Sequence, residues 1–139
     1  MNRALILAGL SLLATTAEAK ETEAKTGESG EFIAVSPVAL PIVVDGRLVN
    51  YVFVTLRIEL APSANEPKLR EKEPFFRDAL VRAAHRTPFT LASDLTRIDE
   101  ARLKATMMRE AQVIAGAGQV RSIVIVNQTP KSLRVARGG

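Results

Sequence analysis

The sequence predicts an α+β domain: a small antiparallel sheet with two helices packed on one face, in the order β-β-β-α-α-β. Three observations carry that expectation. Residues 48–60 alternate strictly between apolar and polar-leaning positions, residues 67–86 and 99–115 carry apolar side chains at helical spacing, and residues 120–127 (VRSIVIVN) are rich in β-branched side chains.

The elements follow in order. Residues 32–35 and 40–44 are short apolar runs interrupted by Pro37 and Pro41, which predicts two edge pieces, because proline cannot donate to a ladder. Asp45-Gly46 is a hairpin-turn pair suited to positive φ. In the long strand after it, Val52, Val54, Leu56, Ile58 and Leu60 share the buried face, while Tyr51, Phe53, Thr55, Arg57 and Glu59 share the more exposed one. Residues 61–65 end the strand.

A helix is expected next. Pro67 or Pro74 suits a first-turn position, and a start at Pro67 would leave Pro74 inside the helix as a kink. Leu69, Phe76, Leu80 and Ala83 form its inward face with Ala79 and Ala84 at the borders; Asp78, Arg82 and His85 lie opposite. Thr87-Pro88 stops it. Thr96 followed by Asp99 resembles a capping box for a second helix, whose inward stripe is Leu103, Met107, Ala111 and Ile114 and whose end is Gly116-Ala117-Gly118. Residues 120–127 then form a buried strand, and residues 128–139 read as a basic tail without fixed structure.

The domain therefore spans 32–128, between a linker and a tail. Residues 20–31 (KETEAKTGESGE) are charged and small, too poor in apolar surface to offset their ordering entropy. Before them, Arg3, an apolar run over 4–14 and Ala17-Glu18-Ala19 have the order of a signal peptide cleaved before Lys20. The run is shorter than the ~20 apolar residues a spanning helix needs. The reading is export to a periplasm; the alternative is an uncleaved segment anchoring the chain in the inner membrane.

Composition excludes several classes. The chain has no cysteine and one histidine, so disulfides, thiolate metal sites and lipid attachment at a cysteine are ruled out. Aromatic content is 4%, so the core must be aliphatic. The formal charge is +4, with basic and acidic residues interleaved, which is not the clustered charge of a nucleic-acid binder.

No catalytic constellation assembles. His85 lies on a polar helix face with no cysteine and no marked serine to act on. Glu71, Glu73 and Asp78 alternate with Lys72 and Arg77, as surface ion pairs do. Gly116 and Gly118 follow a helix, which is the wrong context for a phosphate-cradling loop, and Met107-Met108 reads as core filling. The expectation is a non-enzyme with no catalytic, cofactor or metal site and no small-molecule substrate. Its working surface would be a partner contact at Phe75, Arg82, His85 and Arg86, where an aromatic stands beside arginines.

One resemblance uses the whole order of elements. YVFVTLRIEL (51–60), EPFFRDALVRAAHRT (73–87), LASDLTRIDEARLKATMMREAQVI (91–114) and VRSIVIVNQ (120–128) look like the periplasmic domain of the FliL family of flagellar basal-body-associated proteins. Pro74, Arg77-Asp78-Ala79-Leu80, Thr87, Asp94-Leu95 and residues 123–126 fall at matching places. The likeness covers roughly residues 40–128. A signal-like segment stands where family members carry a membrane helix, and the second helix is richer in alanine and methionine. The resemblance implies a stomatin-like fold, self-association into a homo-oligomer, contact with motor stator or basal-body components, and a role in motility and chemotaxis. The reading from another class is a small periplasmic carrier that holds an apolar ligand near Val52, Leu56 and Phe76.

Overall fold

The computed structural model describes residues 30–135. The signal segment, its cleavage residues Ala17, Ala19 and Lys20, and all but the last two linker residues lie outside them. The chain runs β1 (Phe32–Val44), β2 (Arg47–Leu60), α1 (Glu66–Arg70), α2 (Glu73–Arg86), α3 (Glu100–Ala115) and β3 (Val120–Pro130). The three strands form one antiparallel sheet in the order β1-β2-β3. One face is covered, by α2 over β1 and α3 over β3, with the two helices also packed on each other. This is the α+β architecture expected, with three strands instead of four.

The missing strand is a merger. The expected edge pieces at 32–35 and 40–44 are one strand, because a bulge between Val35 and Val38 takes up Ser36-Pro37 without ending the pairing. The prolines fit because β1 is an edge. Leu60 N–H donates to Glu31 C=O at 2.9 Å, so Ile33 and Val35 turn their backbone groups to β2 while Phe32, Ala34 and Ser36 turn theirs outward. That outer edge is blunted at two points. Ser36 N–H donates to Glu73 Oε1 at 2.9 Å, and the Thr90 hydroxyl both receives from Val43 N–H and donates to Val43 C=O at 3.0 Å. Pro41 has the parity of Val43, so the N–H it lacks would have faced away from the sheet. At the hairpin, Asp45 (φ 50°) and Gly46 (φ 72°) both take the left-handed region that a two-residue primed turn requires.

The central strand behaves as its alternation predicts on the helix side. Val52, Val54, Leu56, Ile58 and Leu60 are fully buried, and they meet Phe76, Leu80 and Ala84 of α2 and Leu103, Met107 and Ala111 of α3 in one cluster. Its other face differs at Glu59, which is only 4% exposed. Glu59 Oε1 accepts from Arg57 Nε at 2.7 Å, and Arg121 Nη2 lies 4.0 Å from Oε2. Arg57 in turn lies over the Phe32 ring, 4.7 Å from its centroid. Two arginine stems and an aromatic ring thus shelter a carboxylate on a face the helices leave open.

The expected single helix is divided. The Pro74 ring would clash with the carbonyl four residues earlier, that of Arg70, and Arg70 is where α1 ends. Both prolines therefore stand in first turns, Pro67 in α1 and Pro74 in α2, and no kink is needed. The cap of α3 also differs from the expected box. Asp99 itself is the N-cap, accepting from Arg102 N–H at 3.1 Å. Thr96 instead donates to Asp94 Oδ1 through its N–H at 2.9 Å and its hydroxyl at 2.5 Å. Those two bonds, with a smaller contribution from the nearby Arg97 charge, hold the Asp94 carboxyl below the usual range.

Two further expectations change at the C-terminal end. β3 is a half-buried edge strand, with Val120 and Ile123 buried and Val126 exposed where a bulge interrupts its pairing with β2. The expected tail at 128–139 is fixed at its start. Gln128 Oε1 accepts from Ile98 N–H at 3.1 Å, Lys131 N–H donates to Tyr51 C=O at 2.8 Å, and Ser132 is bound to Asn50. Residues 136–139 lie outside the described residues.

Candidate partner interface

The helical layer presents one continuous surface built from α2 and α3. Lys72 Nζ donates to Ile114 C=O at 2.9 Å, which joins the start of α2 to the end of α3. At the other end, Ala83 and Arg86 of α2, with Thr87 at its C-terminal cap, line a cleft with Arg102, Thr106, Arg109 and Glu110 of α3. The two helices therefore run antiparallel, side by side. Ala79 and Ala83, small and buried, form the flank of α2 that lets α3 approach.

The four predicted contact residues are all exposed on α2, but they do not form one cluster. Phe75 is 61% exposed, so it does not complete the core. Counting at 100° per residue, Phe75 and Arg86 fall on the flank next to α3, Arg82 on the crest, and His85 beyond it. Arg82 Nε is engaged with Asp78 Oδ2 at 2.9 Å, a surface i,i+4 pair. His85 Nδ1 lies 2.8 Å from the Val81 carbonyl oxygen, so that nitrogen carries the proton and the ring is tied along its own helix. Of the four, only Arg86 lines the cleft; Phe75 lies on the same flank three turns away, at the other end of α2, and Arg82 lies between them at its border.

The α3 side was not singled out in the sequence. Arg102, Thr106 and Arg109 recur at i, i+4 and i+7, beside the inward stripe of Leu103 and Met107. That spacing was available as a signal, but its meaning depends on where α2 lies. Arg102 is held in place: its Nη2 donates to Pro88 C=O at 2.5 Å, and its guanidinium lies 5.6 Å from the Phe89 ring centroid. Arg109 Nη2 makes a long bond of 3.4 Å to Thr106 Oγ1. The cleft has a volume of about 440 Å³. Three guanidinium groups and two threonine hydroxyls line it, against a single carboxylate, Glu110.

The carrier reading places its ligand at Val52, Leu56 and Phe76. All three side chains have no exposed surface and pack in the common core cluster. The described surface clefts are lined by other residues. The sheet face away from the helices exposes Phe32, which lies under Arg57, and Phe53, each by a little under half.

No protein-family model matches the chain, and neither does any curated protein. Among the described residues, no helix is long and apolar enough to cross a membrane, and no three His, Asp or Glu side chains converge as a metal site.

Proposed function

We propose that the chain is a FliL-like periplasmic interaction module, non-catalytic, that associates with itself and with stator or basal-body components of the flagellar motor. The observation that carries this reading is the α2–α3 surface, where Phe75 stands 61% exposed on the same flank as Arg86, with Arg82 two turns on from Phe75. A large aromatic left in water on a helix flank that also carries arginines is the composition of interface anchors. The segments of the resemblance support it further. Residues 51–60 lie in the central strand, 73–86 are α2, 91–114 are the loop and most of α3, and 120–128 lie in β3. The filled core at Val52, Leu56 and Phe76 favours a scaffold over a carrier. Export rests on the leader-like pattern ending at Ala17-Glu18-Ala19. Acting without chemistry, such a module shifts a partner between assembly states by binding one of them better.

The test is Arg82→Glu, read on one protein in two ways. Loss of the exposed pair with Asp78 and the new like-charge neighbour are expected to lower stability by only about 0.5 kcal/mol. Self-association, or swimming in a flagellated host, is expected to fall, because reversing an interface charge adds repulsion. Normal association together with normal swimming would remove this surface from the account.

A further inference from the structure

The α2–α3 surface has two chemically different ends, and their separation is set by helix geometry. The arginine cleft starts with Arg86 and Arg102, where α2 ends and α3 begins, and extends along α3 to Arg109, whose guanidinium reaches back to Thr106. At the opposite end stand two exposed apolar side chains, Phe75 at 61% and Val113 at 83% exposure. Phe75 precedes Arg86 by three helical turns on one flank of α2, and Val113 follows Arg102 by three turns on the facing flank of α3. At 1.5 Å per residue Arg86 and Arg102 stand about 16 Å from the apolar pair, with Arg109 between. Between them the buried alanines Ala79 and Ala83 keep the floor of the surface low.

The cationic end is short of internal partners. Arg82 has Asp78, but among the described residues Arg86 makes no ion pair and Arg109 meets only the Thr106 hydroxyl. Arg102 is fixed by Pro88 and Phe89, so its guanidinium is already oriented before anything binds. Guanidinium forks match carboxylates in geometry and charge.

We infer that this surface binds an extended segment of a partner protein that carries a bulky apolar residue and, about five positions away, a pair of carboxylates. The apolar residue seats against Phe75 and Val113, and the carboxylates seat among Arg86, Arg102 and Arg109. An extended chain advances about 3.3 Å per residue, so five residues cover the distance between the ends. The inference depends on reading the domain as an interaction module, but not on the flagellar assignment.

The experiment measures binding of a capped, fluorescent heptapeptide, made of one leucine, four serines and two glutamates, to the purified protein at low salt. Arg86→Glu and Arg109→Glu are each expected to weaken binding about tenfold or more without lowering the thermal midpoint. Lys104→Glu makes the same charge change on the other flank of α3 and is expected to leave binding unaltered. Replacing the peptide leucine with serine is expected to weaken binding to every one of these proteins. Equal loss from Lys104→Glu, or full displacement of the peptide by millimolar inorganic phosphate, would overturn the inference, because either shows general charge attraction only. Failure of the peptide to bind the unaltered protein would overturn it as well. Because the readout is a peptide in vitro, its failure removes the peptide site alone, and the flagellar assignment is tested separately by the swimming of Arg82→Glu.

Discussion

Asn50→Ala is expected to destabilise the fold by about 2–4 kcal/mol, the net effect of orphaning several part-buried backbone groups at once. Asn50 is 5% exposed, and its amide joins three parts of the chain. Nδ2 donates to Leu95 C=O and to Ser132 C=O, both at 3.0 Å. Oδ1 accepts from Tyr51 N–H at 2.9 Å and from Ser132 N–H at 3.1 Å. The loop between α2 and α3 and the segment after β3 are thereby tied to the central strand. Asn50→Asp makes the argument specific. A carboxylate keeps the size and the acceptor, but it cannot donate to the two carbonyls and sets a charge beside them. Both variants are expected to lower the urea midpoint substantially, with Asn50→Asp no better than Asn50→Ala near neutral pH. A midpoint unchanged in both would mean that water replaces the amide at little cost.

Leu80→Ala is expected to cost about 2–5 kcal/mol, by lost burial and by the cavity left behind. Leu80 has no exposed surface, sits midway along α2 and belongs to the core cluster with Phe76 and the buried face of β2. The surrounding core is nearly all aliphatic, and its strands are held in register on both sides of β2, so little collapse into the gap is expected. Against a total stability of about 5–15 kcal/mol, typical of a domain this size, the loss is large. Equilibrium denaturation would show it as a lower midpoint with the same slope. A shift smaller than that of Arg82→Glu would mean that the inward face of α2 has been misassigned.

The parts of the fold legible in the sequence are those where one side-chain period decides the outcome. The alternation in β2 and the stripes Phe76, Leu80 and Leu103, Met107, Ala111 each describe a face that must be buried, whatever it is buried against. The parts that were not legible depend on contacts distant in sequence. Whether Pro37 ends a strand or sits in a bulge depends on β2 continuing opposite it. Glu59 read as solvent-facing because its shelter comes from Arg57, Phe32 and Arg121, of which Phe32 and Arg121 lie on the two neighbouring strands. The loop between α2 and α3 carries Phe89 and Ile98 into the core, and a Thr90–Ile98 bridge closes it, yet it has no period to reveal this. The same loop sets how α3 lies against α2. For that reason Phe75 and Arg86 could be named from one helix, while Arg102 and Arg109 emerged only with the second helix in place.

The proposed contact between the α2–α3 surface and a component of the flagellar motor is open to a direct test. The most direct measurement is in-cell photo-cross-linking in a motile host, with a photoreactive amino acid in place of Phe75 and, separately, in place of Lys104. The account expects an adduct from position 75 that contains a stator or basal-body subunit, that weakens when Arg86→Glu is added, and that is absent from position 104. Exported, folded protein that gives no such adduct from position 75, or gives the same adducts from both positions, would contradict it.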